Sequence, residues 1–169
     1  MDHSYIIESL AKNADTFQSM LAGATENEYR WKSAPEKWNL LEVVCHLYDE
    51  EREDFRGRVK HTLEHPEPPL PFNDPQSWVL SRKYGEQDYL TMLQGFLDER
   101  KQSIRCLRSL DKPAWKNAYE HPTHGAFTAE IFFANWLAHD YLHFRQIISL
   151  KYHYLTSHSK VRFDYAGEW

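Results

Sequence analysis

Ten histidines stand among 169 residues, and two pairs, His61/His65 and His139/His143, have the i, i+4 spacing that places side chains on one helical face. About 0.6 such pairs are expected by chance at this composition, so context has to separate them. On a helical wheel His139 and His143 fall within about 20° of the centre of an apolar stripe formed by Phe132, Trp136, Ile147 and Leu150. Two imidazoles one turn apart in that stripe lose solvation unless something satisfies them. A metal ion does so, and imidazole suits Zn, Ni, Cu and Fe. Hydrogen bonds to Gln146, Asp140 or carbonyls are the alternative. His61 and His65 have Asp54, Gly57 and Arg58 behind them and Pro66 ahead, which describes a solvated helix end. Catalytic metal sites use three protein ligands. The spacing leaves His46, His121, His124 and a carboxylate open as the third, with His46 outside the stripe of Leu40, Val44, Leu47, Phe55 and Val59.

These residues need elements to position them. Apolar spacing predicts helices over about 4–22, 39–65, 86–110 and 128–152. Gly23 would close the first; Asn39 and Thr128 would cap the second and fourth, with Glu42 completing a capping box. Four prolines between His65 and Phe72 make 65–84 a long connection of the kind that forms lids and pocket walls. The expected fold is one all-α domain over 1–169, an antiparallel four-helix bundle, with a packed tail over 157–169. No strand alternation or fixed-period repeat competes with it.

Composition narrows the function. Lys plus Arg number 20 against 25 Asp plus Glu, a net charge of −5, which argues against nucleic-acid binding. Aromatic residues make up 15%, which argues against disorder. No apolar run reaches the roughly 18–20 residues of a membrane span, and no signal peptide is expected at Met1. Two cysteines, Cys45 and Cys106, form no disulfide framework and suit a reducing, cytoplasmic setting. Cys45 points about 100° from His46 and reads as packing, as do Cys106, Trp38 and Trp136.

Two segments, Trp38-Asn39-Leu40-Leu41-Glu42-Val43-Val44-Cys45-His46-Leu47-Tyr48-Asp49-Glu50 and Trp136-Leu137-Ala138-His139-Asp140-Tyr141-Leu142-His143-Phe144-Arg145-Gln146-Ile147, together resemble the DinB/YfiT-like superfamily. The turn His124-Gly125-Ala126-Phe127-Thr128 resembles it too, and the likeness spans most of 4–153. It implies a four-helix bundle with an extended second-to-third connection. It also implies that His46, His139 and His143 face one divalent metal, Zn or Ni, which promotes His46 over His124. Many members are similar to transferases and isomerases that use bacillithiol, mycothiol or glutathione, and members often form homodimers.

The expected function is therefore a metal-dependent thiol S-transferase acting on a small-molecule substrate. A metal-dependent hydrolase, a non-catalytic metal-binding stress or accessory protein, and a helical interaction module with structural histidines are the alternatives. Asp49, Glu50 and Asp140 are candidates to orient the imidazoles or, for Glu50, to join the ligands. Gln146 is a candidate for bonding a ligand or substrate, and Arg145 and Arg52 for holding an anionic thiol.

Overall fold

Asp2 opens the first helix by accepting a hydrogen bond from the Tyr5 backbone N–H, one of the donors a first turn leaves over. The computed structural model describes residues 1–67, 70, 74–121, 123 and 125–169, so His124 lies outside the described residues. Helix α1 (His3–Leu21) buries Ile6, Leu10, Phe17 and Leu21, and Gly23 follows it with φ +79°. A short α2 (Glu26–Arg30) interrupts the next linker. Asn39 then starts α3 (Leu40–Asp49), with both halves of the expected capping box to Glu42 formed.

The second long helix departs from a plain α-helix. After Asp49 it runs as a π-helical segment, Glu50–Phe55, before resuming as α4 (Arg56–Glu64). The described part of the connection carries α5 (Pro75–Ser81) and a 3-10 turn, Tyr84–Glu86. Helix α6 (Tyr89–Ser109) follows from the Asp88 cap. The all-α expectation misses one feature, an antiparallel hairpin of β1 (Ala118–His121) and β2 (Gly125–Thr128) in which Ala118 faces Thr128. Thr128 caps α7 (Ala129–His158), which continues past the expected end near Tyr152.

An all-antiparallel bundle is corrected by the contacts between helices. Along α1 and α7, His3 meets Glu130 and Asn13 meets Asp140, so these helices run parallel. The second long helix is parallel to α6, since Tyr48 packs on Gly95 and Arg56 bonds Glu99 and Ser103. By contrast α1 and α6 are antiparallel, with Glu8 on Arg108 and Leu21 O on Tyr89. The cause is the long 65–88 connection, which carries the chain back to the end it came from, as short loops cannot.

Two apolar clusters fill the interior. One gathers Phe17, Leu41, Val44, Phe96 and Ile147; the other gathers Leu10, Val59, Ile104, Phe133 and Trp136. On each long helix buried polar residues fall between them: Asn13, then Glu50 and Glu51, then Arg100 and Ser103, then Asp140 and His143. A polar belt therefore crosses the core at mid-height. Among the described residues no helix is long and apolar enough to cross a membrane.

Candidate metal centre

In the belt, α3 supplies His46 and α7 supplies His139 and His143, and each offers a ligand atom within 4.8 Å of the others. Their Nε2 atoms converge, with His139 Nε2 3.3 Å from that of His46 and 3.0 Å from that of His143. A tetrahedral ion with bonds of about 2.0–2.1 Å would set its donor nitrogens about 3.3–3.4 Å apart, and an octahedral one about 3.0 Å. The donor set thus fits a small divalent cation.

Protonation favours the same conclusion. Burial, then the neighbouring His143, pushes the His46 pKa down to about 3. Burial and the two other imidazoles, with Arg100 behind them, push His139 down to about 2. Burial also lowers His143, opposed by Gln146 and the Asp140 carboxylate. Three neutral imidazoles facing one another have at most one proton for each contact and present lone pairs to a common point. The Nδ1 atoms of His46 and His143 are buried without a hydrogen-bond partner. With Nε2 on a metal, each Nδ1 would carry the proton, and Glu50 Oε1 already lies 3.9 Å from that of His46.

Beside His143 a groove of about 1140 Å³ opens between the 31–38 linker, the second half of α7 and Trp169. Trp31, Trp38 and Trp169 give it aromatic walls; Lys37, Arg145 and Gln146 give it polar ones. Neither Lys37 nor Arg145 has an ion-pair partner among the described residues.

A family model described as the DinB superfamily matches residues 9–147. The chain belongs to the DinB superfamily. No curated protein matches it. Among solved structures the chain is similar to YfiT from Bacillus subtilis, described as a probable metal-dependent hydrolase with an unusual four-helix bundle topology. The TM-score is 0.77 at 20% identity, over 88% of this chain and 85% of that one, and the likeness is one of fold.

Several expectations for this DinB-superfamily chain change in the structure. His46 is not a flanking residue: α3 is buried nearly all round, from Leu40 to Leu47, so no single stripe defines its inner face. Asp49 points away from the triad, accepting from Tyr84 Oη at 2.8 Å and pairing with Arg82 at 2.9 Å and Arg52 at 3.1 Å. Arg52 is held there as well, so of the two arginines only Arg145 reaches the groove. Asp140 turns to Arg100 and Asn13 rather than to an imidazole. No described residue of 65–84 lines the groove, whose walls come instead from the 31–38 linker and the tail. Trp38 packs half-buried against the first cluster, and its ring, 4.9 Å from that of His46, also forms a wall of the groove.

Glu50 is buried beside His46, and burial first, then Asp54, raises its pKa to about 8 despite Arg58. Cys45 packs with its thiol 3.9 Å from Tyr84 O, and burial lifts its pKa to about 12, leaving it inert as a nucleophile. The sequence reading missed Glu51, Arg100 and Trp169. The first two look like surface charges until the belt is assembled. Trp169 stacks on Tyr152 at 4.3 Å, so the aromatic content of the tail is its only advance signal.

Proposed function

We propose that this protein is a metal-dependent enzyme in which His46, His139 and His143 hold one divalent cation, Zn or Ni, and an anionic low-molecular-weight thiol is the co-substrate. The observation that carries this reading is the convergence of three imidazole Nε2 atoms beside a groove whose Lys37 and Arg145 have no ion-pair partner among the described residues. A cation on three imidazoles keeps a position open and, once a thiol coordinates, favours its thiolate. Lys37 and Arg145 would bind the carboxylates of the thiol, and Trp31 and Trp38 would shield an apolar electrophile from water. Gln146, next to His143 in the groove wall, would orient either molecule. Free Cys45 and Cys106 accord with a reducing, cytoplasmic setting, where such thiols are kept reduced.

Hydrolysis is the second reading, favoured by the fold shared with YfiT and by Glu50. Buried beside His46, Glu50 would act through that imidazole, holding its Nδ1 proton while Nε2 meets the cation. Elemental analysis of untagged protein beside His139→Ala tests the shared premise. Near one equivalent of metal, lost in the variant, supports it; no uptake by either protein after incubation with Zn²⁺ or Ni²⁺ removes both readings. Loaded protein offered an electrophile with and without thiol then separates them, because only S-transfer requires the thiol.

A further inference from the structure

Behind the triad the belt holds one guanidinium and two carboxylates, all removed from water. Arg100 is 1% exposed, Glu51 2% and Asp140 0%. Arg100 grips Asp140 through both oxygens, at 2.7 and 2.8 Å, and Glu51 Oε2 at 2.9 Å; its fourth bond goes to Leu10 O at 3.2 Å. Asn13 Nδ2 donates to Asp140 Oδ2 at 2.9 Å, and Trp136 Nε1 donates to Glu51 Oε2 at 3.0 Å. The groups that face the two carboxylates, Arg100, Asn13 and Trp136, are all donors, which is the environment of ionised oxygens. One positive charge against two negative ones leaves the cluster at −1 in the core.

An excess buried charge is costly unless something opposite lies near. Asp140 follows His139 directly in α7, and Trp136, one turn earlier, joins Glu51 to Phe55, whose ring is 4.8 Å from that of His139. Resting on the metal reading above, we infer that Glu51 is an electrostatic positioning residue: it touches no ligand, but its charge, locked by Arg100 and Trp136, holds the divalent cation at the triad. The network ties α1, the π segment, α6 and α7 together at that level, so charge and ligand spacing are set by the same contacts.

The structure offers an unusually clean variant. Glu51 Oε1 has no partner, so in Glu51→Gln the amide nitrogen can occupy that place while the remaining oxygen keeps Arg100 and Trp136. Charge is lost and geometry kept; Glu51→Asp does the reverse. Zn²⁺ affinity, read by competition with a chromophoric chelator, should fall about 10- to 100-fold in Glu51→Gln. The visible spectrum of the Co²⁺-loaded variant should match wild type, because the donor nitrogens have not moved. Glu51→Asp should stay within a few-fold. An unchanged affinity in Glu51→Gln, or a loss accompanied by an altered Co²⁺ spectrum, overturns the inference. Should Glu51→Gln lack a cooperative melt, Glu51→Asp decides: near-wild-type affinity supports the role of charge, and a large loss refutes it. Wild-type protein that takes up neither ion sinks the metal reading and this inference together.

Discussion

At the scale of single residues, the imidazoles differ in how they could be read. His139 and His143 stood out because two polar groups interrupted an apolar stripe on one helix. His46 did not, because α3 is buried on nearly every side and has no polar face to contrast with; the family resemblance alone selected it. Mutation separates the candidates. His46→Ala and His143→Ala should each cost at least 10-fold in Zn²⁺ affinity by chelator competition, whereas His121→Ala on the β1 strand should leave it within two-fold, on the order of magnitude seen when ligands or distant groups are removed. Glu50 makes a pH prediction. Its folded pKa is raised from 4.5 to about 8, so the folded state holds an extra proton in between and loses stability as pH rises across that window. Glu50→Gln should abolish that alkaline loss, as urea midpoints at pH 5 and pH 8.5 would show.

At the scale of elements, helix positions and caps were legible because they depend on local spacing. Asn39 is an instance: its side chain accepts from Glu42 N, and Asn39→Ala should cost about 1 kcal/mol in a denaturant melt. The π segment also has a trace in the spacing. At about 100° per residue from Leu40, Val59 drifts about 100° off the stripe; accommodating one extra residue returns it to about zero. Its tertiary causes, Glu51 on Arg100 and Phe55 on Trp136, join residues far apart in the chain. Deleting Arg52 removes the extra residue, so it should restore an α-helical ladder with Phe55 and Val59 still facing the second cluster. The expected result is a stability loss of about 1 kcal/mol or less in a denaturant melt, from the Arg52 pairs with Asp49 and Glu53, with metal uptake kept.

At the scale of the whole molecule, helix direction was not legible, since spacing says which face is buried and nothing about which end meets which. The polar belt also emerges only here, from residues on four helices. Its histidines shape acid stability in the metal-free protein. With folded pKa values near 3 and 2 for His46 and His139, against an ordinary 6.5, the unfolded chain binds more protons below that value. Stability should therefore fall as pH drops from about 6.5 toward 3, and a titration of apo protein by circular dichroism would follow it. His46 and His139 are separated by 93 positions, on the second long helix and the last. An ion gripped by both closes a chain loop of that length, and by the entropy of such a cross-link it could contribute about 4–5 kcal/mol against unfolding. A nascent chain halted before α7 would have only one jaw of this clamp. If the triad takes up an ion, only a chain that includes α7 through His143 could capture it, and the melting temperature would then gauge how many molecules had done so.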